Sequence, residues 1–261
     1  MAVNRQRPTL GVAVIAMNEA DRISGLLESV RFADEVLVID SGSTDGTQDL
    51  CREFGATVLD HPWMGYAAQK QTALEKVRSD WALNLDADET VPAALAEEIR
   101  RAVESAPSEV AGFSLPRLSF YLGRWIRHGG WYPDRKIRLV RKGSGHWVGD
   151  GLHERLQVDG QIRELSQPLL HYVYRNISDQ LQTIDRFSGI AAEQKKSASG
   201  AYLLTGLGHA LGKFAECYFW KFGFLDGWPG LIIAANSAWY VFLKHAKAWE
   251  LGLNENHSPR P

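Results

Sequence analysis

The sequence of 261 residues predicts an α/β fold, in which a mostly parallel sheet has helices on both faces and a helical extension follows it. Three observations support this prediction. Short apolar runs alternate with helix-type patterns over residues 10–105, and the pattern is helical from Ser178 to about residue 250. A hydrophobic fraction of 45% is enough for a sizeable core.

The first strand and helix show the alternation most clearly. The run "LGVAVIAM" (10–17) is entirely apolar, as expected of a strand buried on both faces. It is followed by apolar residues at helical spacing, namely Ile23, Leu26, Leu27 and Val30.

Three further strand and helix pairs follow. Thr44 and Asp45 are candidate caps for the first of these helices, Gly55 ends it, and Pro92 suits the start of the last. The predicted strands are 35–40, 57–61 and 81–86, and the predicted helices are about 45–54, 65–78 and 92–105. Beyond residue 110 the pattern changes, and strands are predicted at 111–122, 136–142 and 155–174.

Composition excludes several classes of protein. A net charge of −2 gives no general attraction to nucleic acid, so we expect no nucleic-acid partner. Cys51 and Cys217 are too few for a disulfide framework and fit a reducing compartment. We expect no signal peptide, and the apolar window 228–243 is shorter than the ~20 residues of a spanning helix.

Polar residues stand at the ends of three predicted strands. Asn18 and Glu19 end the first and Asp40 ends the second, and ligands of parallel sheets bind beyond such carboxyl ends. Asp40 precedes "SGST", a combination that suits a nucleoside, because a carboxylate accepts from base or ribose donors and small residues allow close approach. A turn that caps the next helix is the alternative interpretation.

The fourth strand ends in Asp86 and Asp88. In an extended chain residues two apart point the same way, so both carboxylates face one side. Two such oxygen ligands suit Mg²⁺ or Mn²⁺ bridging to a diphosphate. An isolated motif of this kind is also found in solvated surface turns.

Motifs over residues 10–90, "VIAMNEADRISGLLESV", "VLVIDSGSTDGT" and "LNLDADE", together resemble the inverting family-2 glycosyltransferases of the GT-A fold. Later motifs, "YPDRKIRLVRK", "GDGLHERL" and "LLHYVYR", resemble the branch of lipopolysaccharide inner-core β1,4-glucosyltransferases. The resemblance implies a nucleotide-sugar donor, with UDP-glucose expected first, and a lipid-linked glycan acceptor such as an inner-core heptose. It implies a cytoplasmic location, at the inner face of the inner membrane.

The resemblance also implies roles for single residues. Glu19 and Asp40 would hold ribose and base, and Lys70 would lie near the phosphates. Asp88 would bind the Mg²⁺ or Mn²⁺ directly, and Asp86 would contact ribose or a metal-bound water. Many relatives have a second acid where this chain has Ser41. The donor candidates are Asn18, Glu19, Asp40, Ser41, Lys70, Asp86 and Asp88, and the metal candidates are Asp88, Asp86 and His171, the last of which is otherwise a core histidine.

An inverting transfer needs one base to take the proton of the acceptor hydroxyl. The candidates are Asp134, Asp150, His153 and Glu154, of which Glu154 is the first and Asp150 the second. A loop ion pair with Arg155 is the alternative for the "HE" pair. The stretch "RWIRHGGWYPDRK" (124–136) mixes basic and aromatic residues that suit an anionic glycan. The acceptor candidates are Trp131, Asp134 and Arg138.

The sequence thus predicts three regions: 1–110 for the nucleotide sugar, 111–176 for acceptor and catalysis, and 177–261 as a helical region. Tryptophan and lysine are interleaved over 200–250, which suits a helix in a membrane interface; a packed lid or a dimer contact is the alternative. In the membrane interpretation, the apolar face consists of Leu231, Ile232, Ala235, Ala238, Trp239 and Phe242.

Two other functions remain open from the sequence. "NLDADET" also matches the opening motif of haloacid-dehalogenase-type phosphatases, in which Asp86 would be the nucleophile and Asp88 the acid and base. That interpretation leaves the strands before residue 80 and the Asp40 motif unexplained. The other is a non-catalytic, membrane-associated binding protein, which does not account for both acids and the base candidates.

Overall fold

The computed structural model describes residues 7–149, 154–197 and 199–257. The chain divides into two compact units. Unit 1 consists of Met1–Arg117 and Arg135–His171, and unit 2 consists of Leu118–Asp134 and Tyr172–Pro261.

Strands and helices alternate in the first 105 residues, close to the predicted bounds. The strands are β1 (Leu10–Ala16), β2 (Glu35–Asp40), β3 (Thr57–Asp60), β4 (Trp81–Asp86), β5 (Glu89–Thr90), β6 (Val110–Tyr121), β7 (Arg124–Ile126), β8 (Asp134–Arg141), β9 (Gly145–Val148), β10 (Arg155–Val158), β11 (Gln161–Glu164) and β12 (Leu169–His171). The α-helices are α1 (Ile23–Ser29), α2 (Thr47–Phe54), α3 (Tyr66–Lys76), α4 (Ala93–Ser105), α5 (Ile177–Glu193), α6 (Gly200–Ala215) and α7 (Gly227–His257).

Two predicted features of the chain need correction. α2 begins at Thr47, later than predicted, and its N-cap residue is Gly46, which has a left-handed conformation with φ 93°. The predicted cap Asp45 lies one residue earlier and accepts a hydrogen bond from the Thr47 N–H (3.1 Å). Gly55 ends this helix as predicted. The region 155–174 is not one strand but three short ones, β10, β11 and β12, which belong to different pairings.

The larger sheet has the strand order β3-β2-β1-β4-β8-β6-β12-β5, and β7 and β11 both pair with β6. β1 lies between β2 and β4, parallel to both, and β2 is parallel to β3. Beyond β4 the sheet is mixed, since β8 runs antiparallel to β4 and β12 runs antiparallel to β5. β9 and β10 form a separate antiparallel pair.

Helices cover both faces of the parallel strands. Leu10, Val12 and Val14 of β1 belong to one apolar core, which also contains buried residues of α1, α2 and α4. Ala13, from the other face of β1, belongs to a second core, with residues of α3 and of the β9–β10 pair. The alternation follows from the two-residue period of a strand. The predicted α/β fold, with a C-terminal helical extension, is confirmed.

Unit 2 contains α5, α6 and α7, and both α5 and α6 pack against α7. Gly206 lets α6 approach α7 closely, because a Cβ at this position would lie 2.5 Å from the Cβ of His245. Buried polar groups also join the helices: Gln180 of α5 accepts hydrogen bonds from the Tyr121 hydroxyl (2.6 Å) and from Asn236 Nδ2 (2.5 Å). Among the described residues, none of the helices combines the length and the apolar character needed to span a membrane.

Candidate functional site

The loops after β1 and β2 are tied together at the carboxyl ends of the strands. Asn18 adopts a positive φ of 56°, which is uncommon outside glycine. Its backbone N–H donates to Ser43 Oγ (2.8 Å), and its side-chain oxygen accepts from the Thr44 N–H (2.9 Å). The Glu19 N–H donates to Thr47 Oγ1 (2.9 Å). The predicted donor residues of these two loops therefore lie together.

Asp40 lies inside the second loop. Its carboxylate is fully buried and accepts from the Gly42 and Ser43 N–H groups at 3.0 and 2.8 Å. The Ser43 hydroxyl (2.5 Å) and Gln48 Nε2 (2.7 Å) also donate to it. In this structure Asp40 organises the turn, which is the alternative interpretation that the sequence left open, and its contact with a nucleoside stays a prediction.

Ser41 is half-buried next to Asp40 and accepts a hydrogen bond from Gln69 Nε2 (2.7 Å). Gln69 is itself fully buried, and its Oε1 accepts from His61 Nδ1 at 2.5 Å. The position where relatives have a second acid is thus occupied by a small hydroxyl that is held by α3. Neither Gln69 nor His61 was identified from the sequence, because nothing in their spacing marks them.

Asp86, the first acid of the pair, lies between two cations. Its Oδ1 lies 2.8 Å from Lys70 Nζ and its Oδ2 lies 2.7 Å from Arg138 Nη2. Burial alone would raise the pKa of Asp86, but the charges of Arg138 and Lys70, together with their hydrogen bonds, hold it well below its usual range. Both carboxylate oxygens are engaged, so this acid is a poor candidate for direct metal binding as the residues are arranged here.

Glu89 supports the same group of charges and was missed as a site residue. It is fully buried, and its Oε1 lies 2.6 Å from Arg138 Nη2 and 3.5 Å from Arg117 Nη1. Its other oxygen accepts from the Asp86 N–H (3.1 Å). Burial lowers the pKa of Arg138, but the charges of Asp86 and Glu89 outweigh it and raise the pKa overall. Arg138 thus joins the two acids.

Asp88, the second acid, faces a different set of neighbours. Its Oδ2 lies 3.3 Å from His171 Nε2 and 3.7 Å from Arg22 Nη1. β12 brings His171 there, because it pairs with β5 and sets His171 opposite Glu89. The predicted proximity of Asp88 and His171 is present in the structure. Arg22 was not identified from the sequence.

Glu154, the first base candidate, falls within the described residues. Its Oε1 lies 3.6 Å from Lys70 Nζ, and its side chain is 22% exposed. The Lys70 ammonium also lies 4.8 Å from the centroid of the Trp147 ring. Of the other base candidates, Asp150 and His153 lie outside the described residues.

The residues fit a divalent cation that is shared with a ligand rather than one held by protein alone. Asp88 and His171 supply one carboxylate oxygen and one imidazole nitrogen from converging side chains. The part of the chain that the structure describes contains no group of three or more ligating side chains. Two protein ligands are typical of cations whose remaining ligands are phosphate oxygens and water.

The three acceptor candidates lie in different surroundings. Trp131 belongs to the apolar core of unit 2, where its ring packs against Tyr121 (5.8 Å) and Tyr174 (6.3 Å). Asp134 begins β8 and is half-buried. Arg138 is only 4% exposed, and its guanidinium binds Asp86 and Glu89. This placement indicates that Arg138 supports the acids, whereas direct contact with an acceptor was expected from the sequence.

Comparisons with known proteins point to one family of enzymes. The model of the family "Glycosyl transferase family 2" matches residues 11–154. The lipopolysaccharide core biosynthesis glycosyltransferase LpsC of Rhizobium meliloti is 28% identical over 253 residues, which cover 92% of this chain and 92% of that protein. An uncharacterized glycosyltransferase of Rickettsia bellii is 30% identical over 268 residues, which cover 95% of this chain and 88% of that protein.

Among solved structures, a mannosyltransferase from Pyrobaculum calidifontis in complex with GDP-Man and Mn²⁺ is similar over 98% of this chain and 78% of that chain. The sequence identity is 16% and the TM-score is 0.49.

Proposed function

The chain belongs to glycosyl transferase family 2, and from this premise we propose that it moves a hexose from a nucleoside diphosphate sugar to a hydroxyl of a lipid-linked glycan. The observation that carries the proposal is the group formed by Lys70, Asp86, Asp88, His171 and Glu154 in unit 1. It combines charges for a diphosphate, ligands for a cation and a carboxylate that can act as a base.

The donor diphosphate would lie against Asp88 and Lys70. Lys70 Nζ contacts Asp86 and Glu154 at 2.8 and 3.6 Å, so its ammonium is held on two sides. A held ammonium stabilises the anionic leaving group with little reorganisation. Ser41 and the loop after β1 would line the nucleoside.

Asp88 and His171 would hold Mg²⁺ or Mn²⁺ together with the donor. When bound, the cation neutralises negative charge on the leaving diphosphate. Asp86 would act through Lys70 and Arg138, which it contacts with both oxygens, and would accept from the ribose only after one of these cations shifts.

Glu154 would take the proton of the attacking hydroxyl. In an inverting displacement the acceptor oxygen bonds to the anomeric carbon as the bond to the diphosphate breaks, and the proton passes to the base. Glu154 is 22% exposed, so an acceptor can reach it. No second carboxylate nucleophile is needed, because no covalent intermediate forms.

The donor and acceptor are proposed from the resemblance and from LpsC, whose name assigns that relative to lipopolysaccharide core biosynthesis. We propose UDP-glucose as the donor and a sugar of the lipopolysaccharide inner core as the acceptor. Such an acceptor is attached to lipid, which would bring the protein to the cytoplasmic face of the inner membrane as a peripheral protein.

The test is a transfer assay with UDP-glucose, UDP-galactose, GDP-mannose and dTDP-glucose, with a lipid-linked heptose acceptor and with Mn²⁺ or EDTA. We expect release of UDP and addition of one hexose to the acceptor with UDP-glucose alone, and loss of both in EDTA. Asp88→Asn should lower kcat/KM by about 10³-fold, whereas Glu53→Gln, a change at an exposed acid of α2, should not. Turnover by Asp88→Asn at the wild-type rate would contradict the proposal.

The two rival functions lose their support. The chain belongs to a family of glycosyltransferases, and the phosphatase interpretation requires Asp86 as a free nucleophile. Both oxygens of Asp86 contact cations instead. Relatives that are named glycosyltransferases favour an enzyme over a non-catalytic binding protein.

A further inference from the structure

The outward face of α6 is apolar. On one side of the helix, Gly206 and Ala210 are buried within unit 2. The opposite side presents Leu204, Leu207 and Leu211, at spacings of three and four residues, with 71%, 48% and 66% of their surface exposed. Helices of soluble proteins normally have polar residues on the solvent side, whereas α6 has leucines there.

The chain continues from α6 directly into a turn with exposed aromatic residues. It consists of a π-helix, Glu216–Trp220, and a 3₁₀ helix, Gly223–Asp226. Trp220 in the turn is 83% exposed, and Trp228, in the first turn of α7, is 79% exposed. Phe219 and Phe222 are 60% and 56% exposed. Single exposed apolar side chains are common, but this many in succession mark an interaction surface.

The turn is held in place, so the aromatic residues are exposed by the fold itself. Asp226 is 1% exposed, and its carboxylate accepts from the Arg127 and His128 N–H groups at 3.1 and 2.8 Å. Gly223 lies against the backbone of Cys217, where a Cβ would be 2.6 Å from the carbonyl oxygen. We name this region the α6–turn surface: Leu204, Leu207, Leu211, Phe219, Trp220, Phe222 and Trp228.

We propose that the α6–turn surface inserts into the headgroup region of an anionic lipid bilayer. Tryptophan and phenylalanine beside leucine are the side chains that favour this region. Lys213 and Lys221 border the surface, and each contacts the single acid Glu216 between them, which leaves a net positive charge. Unit 2 as a whole has 11 lysine and arginine residues against 8 aspartate and glutamate residues. This charge is complementary to anionic lipid.

The inference rests on the proposed function for its lipid-linked acceptor. It places the membrane contact on α6 and the turn that follows it, whereas the sequence predicted a face of α7. The face predicted on α7 is less exposed: Ile232 packs in the core of unit 2, and Trp239 is 46% exposed. Buried residues of α7, such as Ile233 and Ala234, face the rest of unit 2. The α6–turn surface therefore offers more exposed apolar side chains to lipid than the predicted face of α7 does.

The experiment measures sedimentation of the full chain with vesicles of phosphatidylcholine alone and of phosphatidylcholine with phosphatidylglycerol, without sugar nucleotide or acceptor. We expect binding to the anionic vesicles that weakens as salt is raised. The double variants Leu204→Ser with Leu211→Ser, and Trp220→Ser with Trp228→Ser, should each lower the partition coefficient by about tenfold or more. The matched control, Leu181→Ser with Ile190→Ser on α5 (40% and 37% exposed), should bind like the wild type.

Circular dichroism and thermal unfolding check that the variants fold. Wild-type protein that stays in the supernatant, or surface variants that bind like the wild type, would overturn the inference. So would a dimer in sedimentation velocity that Leu204→Ser with Leu211→Ser dissociates, since a second copy would then cover the surface. Asp88→Ala should bind vesicles normally, so a failure of transfer and a failure of lipid binding are distinguishable.

Discussion

Units 1 and 2 differ in which side chains they bury and which they expose. In unit 1, charged residues lie inside: Glu89, Arg138 and Lys70 are 0%, 4% and 8% exposed, and all three are paired. In unit 2, large apolar residues lie outside, with Trp220 and Trp228 the most exposed. The overall charge of −2 divides into −5 for unit 1 and +3 for unit 2.

Neither arrangement is explained by stability alone. Buried ion pairs seldom stabilise a fold more than apolar residues of the same volume would, and exposed aromatic residues lower solubility. Each arrangement suits a ligand of opposite character. The charges of unit 1 suit a diphosphate and a cation, and the apolar side chains of unit 2 suit lipid. The following changes test this contrast, from the largest expected effect to the smallest.

Arg138→Met should have the largest effect on stability. It leaves Asp86 and Glu89 without the guanidinium that joins them, so we expect a loss of about 3–5 kcal/mol in the free energy of unfolding. Chemical denaturation measures it. Adding Glu89→Gln should recover part of the loss, because one unpaired buried charge is removed.

The exposed pair of Arg52 and Asp49 provides the control for Arg138. Arg52→Met should cost less than about 1 kcal/mol, since surface ion pairs contribute little. Equal losses for Arg52→Met and Arg138→Met would mean that burial of the Arg138 pair has no energetic consequence.

Glu154→Gln should lower kcat by about 10²–10³-fold while leaving donor binding intact, since the amide keeps the shape of the side chain but cannot take a proton. Transfer rates and UDP affinity, measured on the same preparation, distinguish an effect on catalysis from an effect on donor binding. Glu164→Gln, an exposed acid of unit 1, is the matched control. A variant at Glu154 that loses UDP affinity and keeps kcat would assign this residue to the donor instead.

Acid should reduce the difference in stability between wild type and Asp86→Asn. Because the folded-state pKa of Asp86 lies below the unfolded value of about 3.9, its ion pairs contribute fully above that pH and progressively less below it. Between pH 6 and pH 3 the difference should narrow by about 1 kcal/mol. A difference that is constant over this range would show that Asp86 is not held ionised by Lys70 and Arg138.

Trp220→Ser should have the smallest effect on stability. With 83% of its surface exposed, Trp220 makes little contribution to the core, so the free energy of unfolding should change by no more than about 0.5 kcal/mol. A loss of several kcal/mol in denaturation would mean that the turn depends on this side chain for its fold.

The sequence predicted the framework of the site better than its details. Apolar runs and their polar ends located β1, β2 and β4, and so Asp86 and Asp88, because buried parallel strands have a distinct local pattern. The roles of Glu89 and Arg138 depend on which residues of distant strands face each other. Local pattern does not record that register.

Two other features of the structure depend on contacts between residues that are far apart in the sequence. His171 reaches Asp88 only because β12 pairs with β5, a strand of two residues that no pattern reveals. The apolar residues of α6 have the spacing of a core-facing stripe, and only the packing of Gly206 against His245 shows that the leucines face outward. Sequence periodicity identifies a face but not what covers it.

The most direct test of the central claim is a thermal-shift measurement with UDP, GDP and dTDP, each with and without Mn²⁺, on wild type and Asp88→Ala. A ligand at ~100 times its Kd stabilises the folded state by about 2.7 kcal/mol, which is a readily measured shift. We predict a Mn²⁺-dependent shift with UDP that Asp88→Ala abolishes. No shift with any nucleotide, or a UDP shift that Asp88→Ala leaves unchanged, would contradict the assignment of this site to a metal-bound sugar nucleotide.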